Sequence, residues 1–437
     1  MKQQHNQLIR FALTGLILVV LFLNLLLNRY QLTEVQPLKG YTKPSIPVKL
    51  TVKSWMDGSY QKYREQEIAD SSHFLPFLIR LHNEIEFYTF SKVHVKSVVQ
   101  GQSDYLFDRD DIAAYCGSDH VGSVYIEDQV RKLKFIEQQL KPYGKSVVVV
   151  LVPGKSSLLP EYLPATIAGP GRVTNLSQYV RQLETEKVPF INFAAHFKHL
   201  KRTSSYPIFG KYAVHWSNYA SAIAADSIVR YIEHLYGIDM PNCTWKTVKT
   251  QAAHGTDIDF LDALNLLHYP TLPQMGYPQY QYDLKEKQSK PPFLAIGDSY
   301  YWGLPEFQSP FSDYHFWFYN NEVYPETSVS GLFTYQLNLK AELAKHDIIL
   351  FFASEANLKD LGWGAIDRIA QELKNPETIH FLRDDYAKKT GDIIRDIRGV
   401  PQWLQAISQK AAEKHISVDS MLTLDARWVY HQYEQKK

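Results

Sequence analysis

A serine and a histidine stand in settings that suit acyl chemistry. Gly297-Asp298-Ser299 directly follows the apolar run Pro292-Phe-Leu-Ala-Ile296 and precedes a helix-like stretch. Ser299 is thereby predicted at the carboxyl end of a strand, where open α/β sheets gather their ligands. Its own backbone N–H and those that follow could face an oxyanion there. Position 301 is Tyr, so the G-x-S-x-G elbow of α/β-hydrolases is not formed. The competing role for Ser299 is simply to cap its helix. A hydroxyl nucleophile needs a base, and the best-placed histidine lies in Gly210-Lys-Tyr-Ala-Val-His215-Trp216-Ser217. Ser217 can cap the following helix, whose Ala222, Ala225, Val229 and Ile232 share one face. The positive end of that helix disfavours an imidazolium, so a carboxylate partner for His215 is expected to offset it.

The elements that must carry these groups read as follows. A helix over 126–140 leads through Gly144 into Ser146–Val152, a continuous β-branched run ended by Pro153-Gly154. A strand buried on both faces of a parallel sheet has that composition. Pro292–Ile296 and Asp347-Ile-Ile-Leu-Phe-Phe352 repeat the pattern, and a helix near 362–373 follows the second of them. Strands alternating with helices predict a three-layer α/β/α sandwich. Upstream, Phe74, Phe77, Leu78, Leu81 and Ile85 predict an amphipathic helix, and the alternation from Val93 to Val99 predicts a strand. Residues 31–58, with Pro37, Pro44 and Pro47, read as a tether, and the tail 401–415 as one more helix.

Phe11–Leu27 carries no charge over seventeen residues, about 26 Å of helix, enough to span a bilayer core. Lys2 and Arg10 precede it and only Arg29 follows closely, which favours the N-terminus inside. No small-x-small cleavage site follows, so an uncleaved anchor is expected rather than a signal peptide. The remainder lacks a second such run and is expected on one side of the membrane, in a bacterium the periplasm.

Composition narrows the function further. The net charge of +1 argues against a nucleic-acid binder, which needs a basic excess. Hydrophobic residues at 45% and charged residues at 21% exclude disorder as the default. At 437 residues the chain has room for about three domain-sized units. Cys116 and Cys243 cannot form a disulfide framework or a thiolate zinc site, and one bridge between them stays open. Val152-Pro-Gly-Lys155-Ser156 lacks the first glycine of a phosphate-binding loop, because position 149 is Val. His196 and His199 lack a third ligand, and Asp313-Tyr-His315 follows Ser299 too closely and lacks a following helix, which makes it a decoy. No metal and no cofactor is called for.

Several segments come in an order and spacing that resemble a known family. They are Val98-Val-Gln-Gly101-Gln-Ser-Asp-Tyr105-Leu-Phe107, Val150-Leu-Val-Pro153-Gly-Lys155 with Pro160-Glu-Tyr-Leu-Pro164 after it, the His215-Trp216 pair before a helix, Asp257-Ile-Asp259 and Gly297-Asp-Ser299. Over roughly residues 60–360 they resemble the AlgX/AlgJ-like SGNH hydrolase-type domain of alginate and exopolysaccharide O-acetylation. The resemblance implies an SGNH hydrolase-like α/β fold with a largely parallel sheet, here joined to an N-terminal transmembrane helix and a helical C-terminal extension. The expected division is 1–30 anchor, 31–95 tether and amphipathic helix, 96–385 SGNH hydrolase-like domain, and 386–437 extension.

Carried over by motif, Ser299 is the nucleophile and His215 the base, with Asp298, Tyr300 and Trp216 supporting the site. The family's acid, from a D-x-H-W block, falls on Ala213. Alanine can neither orient an imidazole nor compensate its charge, and losing that acid costs a triad about 10⁴ in rate. Asp257, Asp259 and Glu355 are possible substitutes, and no spacing singles one out. Lys155 falls where the family has a lysine near its cleft, against the plainer reading of a solvated lysine. The resemblance thus implies a membrane-anchored, periplasm-facing protein of polysaccharide O-acetylation, single-pass in the bacterial inner membrane, with a polysaccharide as substrate and a membrane-bound acyl-donor protein as partner. The alternatives are a catalytically degenerate polysaccharide-binding or assembly subunit and a carbohydrate acetyl esterase.

Overall fold

Val147, Val149 and Leu151 join one buried cluster while Val148, Val150 and Val152 join another, so the first long strand has two apolar faces. Such a strand needs a layer on each side. The computed structural model supplies both; it describes residues 10–19, 22, 26, 30, 38–40, 46–72, 74–167, 169–285 and 288–433. The strands that matter are β1 Ser146–Val152, β2 Phe190–Asn192, β3 Cys243–Ala252, β4 Gln274–Tyr282, β5 Phe293–Gly297, β6 Tyr314–Phe318, β7 Glu322–Tyr324 and β8 Ile348–Ser354. Six of them form one sheet in the order β2-β1-β8-β5-β6-β7, parallel except for β7 at its edge. The remaining two, β3 and β4, pair as a separate antiparallel ribbon.

Chain contacts divide the molecule into two units, Met1–Gln100 with Asp259–Leu272, and Gly101–Ile258 with Pro273–Lys437. The first contains helices α1 Ser59–Ser71 and α2 Leu75–Phe90. On α2, Phe87 is buried and Phe77, Leu81 and Ile85 are exposed, so the predicted amphipathic helix is present with most of its apolar stripe open. The second unit holds the sheet and helices α3 Ser123–Leu140, α4 Asn175–Glu186, α5 Phe193–Leu200, α6 Asn218–Tyr236, α7 Leu339–Lys345, α8 Ala365–Glu372, α9 Pro376–Gly399, α10 Pro401–Glu413 and α11 Val418–Tyr433. On one face of the sheet, Ile126, Val130, Leu133 and Ile136 of α3 pack with Leu183 of α4 and Ile366 of α8. On the other, Phe193 and Phe197 of α5 pack with Ala225, Ile228 and Ile232 of α6. This is the predicted three-layer arrangement.

Three expectations shift. The boundary at residue 385 falls inside α9, because that helix is one uninterrupted run from Pro376. The strand expected over Val93–Val99 is confined to Val98–Gln100, and the tether includes a short capped helix, Val52–Met56. The expected anchor over 11–27 lies partly outside the described residues; its described members are helical, and among the described residues no helix is long and apolar enough to cross a membrane. Cys116 and Cys243 are both free thiols.

Candidate active site

Strand β5 ends in glycine for a steric reason. A Cβ on Gly297 would stand 2.8 Å from the carbonyl oxygen of Phe352 on the neighbouring β8. Asp298 follows, fully buried, and ties the two strand ends together. Its Oδ1 accepts from Tyr300 N at 3.1 Å, and its Oδ2 accepts from Ser354 N at 2.7 Å and Asn357 Nδ2 at 2.9 Å. Ser299 is thereby fixed at the head of a 3-10 turn, Ser299–Gly303, at the carboxyl end of the sheet. The Tyr300 N–H is spent on Asp298, so Tyr300 does not supply the oxyanion donor that the sequence suggested.

His215 reaches the same spot from a loop 84 positions away. Its Nε2 is 2.9 Å from Ser299 Oγ, and both residues are half-buried, hence open to a substrate. Ser217 caps α6 through Ala220 N at 3.1 Å and donates to Pro207 O at 2.7 Å, which fixes the chain just after the histidine. Just before it, the Tyr300 hydroxyl donates to Val214 O at 2.6 Å, and the Tyr300 ring meets His215 edge-on at 4.8 Å. Tyr300 thus supports the site through its side chain. Trp216 does not face the cleft: it is 1% exposed and packs edge-on against Phe193, Tyr300 and Phe352.

Lys155 is neither a cleft cation nor a solvated lysine. It is 1% exposed, and its Nζ donates to Leu106 O at 2.7 Å, Lys211 O at 2.9 Å and Ala213 O at 3.0 Å. A charged donor satisfying three carbonyls in a dry interior fixes backbone. Here it fixes the loop that presents His215.

Of the proposed substitute acids, Glu355 is committed elsewhere. It accepts from Gly154 N at 3.0 Å and Ser157 Oγ at 2.7 Å, and lines a separate cavity of about 760 Å³ with Ser157 and Lys198. Burial, then the neighbouring Asp111, push its carboxyl up to about 7; burial likewise raises Asp111 to about 6. A carboxyl whose folded pKa is raised binds its proton more tightly in the folded state. Its contribution to stability is therefore full below the ordinary carboxylate range and is lost as pH rises from there through about 6 to 7. Glu355→Gln is expected to remove part of that slope and raise stability at pH 8 by about 2–3 kcal/mol, read from urea midpoints at pH 5 and 8. Asp259 opens a helix of the first unit, Asp259–Ala263. Asp257, two residues earlier, belongs to the second unit and is fully buried, with its Oδ2 3.2 Å from Asn218 Nδ2.

Two residues were missed from sequence. Tyr319 follows β6 in the left-handed region at φ 50°, and its N–H donates to Gly297 O at 2.9 Å. Its phenol pKa is raised by burial and, to a smaller degree, by the Asp298 charge, while the neighbouring Ser299 and Asn357 oppose the rise. Asn357 completes the cradle of Asp298. Neither carries a spacing signal, because each is delivered by a turn after a strand. The decoy Asp313-x-His315 lies at the opposite end of the sheet, where His315 Nδ1 meets Glu342 Oε2 at 2.5 Å and His315 Nε2 meets Glu326 Oε1 at 3.0 Å. With His346 nearby this buried group has the donor set to hold a cation, remote from Ser299.

Residues 98–301 match the family described as the SGNH hydrolase-like domain of the acetyltransferase AlgX. No curated protein matches the chain. Among solved structures, the O-acetyltransferase domain of Pseudomonas putida AlgJ is 17% identical, with a TM-score of 0.44, over 63% of this chain and 99% of that one. Pseudomonas aeruginosa AlgX is 15% identical, with a TM-score of 0.39, over 62% and 67%. Bacillus cereus PatB1 is 14% identical, with a TM-score of 0.37, over 60% and 96%. The matched segment contains both His215 and Ser299, so over residues 98–301, the stretch that holds the candidate site, this chain is similar to the SGNH hydrolase-like domain of AlgX.

Proposed function

We propose that this protein transfers acetyl groups to hydroxyls of a bacterial polysaccharide, working at the periplasmic face of the inner membrane from an N-terminal anchor. The observation that carries the reading is the 2.9 Å approach of His215 Nε2 to Ser299 Oγ, at the mouth of a domain related to acetyltransferases. His215 takes the Ser299 proton as Oγ attacks the acetyl carbonyl of the donor, and returns it to the donor's departing group. Ser299 then holds the acetyl as an ester. A sugar hydroxyl gives its proton to His215, attacks that ester and leaves acetylated, and the proton goes back to Ser299 Oγ. Transfer outcompetes hydrolysis to the extent that the bound glycan excludes water. The acyl donor is a membrane-bound partner protein in this reading.

Ala213 favours a second reading, in which the fold only holds glycan for another enzyme. Full-length protein incubated with a chromogenic acetyl ester separates the two. Ser299-dependent acetate release that a polysaccharide acceptor diverts into O-acetylated product is the expected result. Release to water alone indicates an esterase, and glycan binding without turnover indicates the assembly subunit.

A further inference from the structure

We propose that Asp257 is the acid of this site, holding the Nδ1 proton of His215 from a different loop in place of the side chain missing at Ala213. This rests on the acyl-transfer reading above and adds its third residue. For Nε2 to accept the Ser299 proton, the ring's hydrogen must sit on Nδ1, so a base at Nδ1 selects the working tautomer. Ala213 is wholly buried and offers a methyl group.

Asp257 lies beside that methyl group. A Cβ on Gly210 would stand 2.6 Å from the Asp257 carbonyl oxygen and 3.1 Å from Ala213 Cβ, so the Asp257 main chain and the Ala213 methyl group flank one glycine. The Asp257 carboxylate then reaches toward the start of α6: its Oδ2 takes the amide of Asn218, three residues beyond His215. It therefore sits at the same helix end as the imidazole. Its carboxylate also raises the phenol of Tyr277, after the larger effect of burial, and that hydroxyl accepts from His254 N at 2.9 Å. Asn218 and Tyr277 are neutral. A fully buried aspartate needs more than neutral donors, because a desolvated charge is costly until a cation balances it. The imidazolium formed as Ser299 loses its proton is such a cation. Competing carboxylates are engaged: Asp298 with Tyr300, Ser354 and Asn357, Asp111 with Ser156, and Glu355 with Gly154 and Ser157. An acid arriving from a new chain position is chemically unremarkable, since triads of one geometry occur with several orders along the chain.

The test is Asp257→Asn in full-length protein. The expected result is a fall in kcat for a chromogenic acetyl ester of about 10³–10⁴-fold with KM little changed. The acid limb of the pH–rate profile should move to lower pH, because the variant lacks the negative charge that favours an imidazolium. Adding Ala213→Asp to that variant should restore at least about tenfold. A loss under about tenfold with an unmoved acid limb overturns the proposal. If Asp257→Asn does not fold, the wild-type protein decides: a low-field, exchange-protected imidazole proton that disappears in His215→Gln is expected, and its absence overturns the assignment. Ser299→Ala keeps that proton while stopping turnover. A wild type without Ser299-dependent turnover therefore sinks the acyl-transfer reading while the resonance still judges Asp257.

Discussion

Ser299→Ala is expected to lower acetyl turnover at least about 10⁴-fold while leaving the melting temperature nearly unchanged. Ser299 sits at the head of a turn whose geometry Asp298 maintains through three hydrogen bonds, none of them to the serine hydroxyl. Removing Oγ therefore removes chemistry and little else. His215→Ala should cost a comparable factor, and the double variant should be hardly worse than either single one, because the two groups act as one device. Measuring kcat for all three variants checks this. Turnover retained in Ser299→Ala would show that the 2.9 Å contact is a structural hydrogen bond.

Lys155→Met should destabilise the fold by about 3–5 kcal/mol, the largest stability effect expected of any single substitution near the site. Methionine keeps the unbranched apolar stem but abandons the carbonyls of Leu106, Lys211 and Ala213 in a dry interior. Each orphaned carbonyl costs about 1–3 kcal/mol unless water enters. The Nζ also lies 5.2 Å from the Phe107 ring centroid, a contact that methionine keeps only as packing. Because two of the carbonyls belong to the loop that presents His215, kcat should fall with stability. A urea midpoint within about 1 kcal/mol of wild type would mean that solvent reaches this pocket.

The parts of the molecule that could be read from sequence are those in which chemistry and pattern coincide locally. β1, β5 and β8 are continuous apolar runs because helices cover both of their faces, and the glycine closing β5 marks where Ser299 emerges. The ribbon of β3 and β4 could not be read so: most of β3 is exposed and Lys- and Thr-rich, so no core face leaves a trace. Lys155 was illegible for another reason. What surrounds a lysine is decided by three distant backbone carbonyls, and a sequence records none of them. Asp257 and Asp259 make the point most sharply. Two residues apart and identical in type, they part into different units, since the chain crosses from one unit to the other between them.

That crossing also limits how the protein can be shortened. Asn83 Nδ2 donates to Leu264 O at 2.8 Å and Glu84 Oε2 accepts from His268 N at 2.8 Å, so Asp259–Leu272 is held by residues from the beginning of the chain. Phe260, Leu261 and Leu264 are buried there. A truncation that keeps only what lies after Gln100 would preserve Ser299 and His215 yet unwrap a greasy excursion in mid-chain, just beyond Asp257, and invite self-association. Residues near the start of the chain thus serve as a cover for its middle.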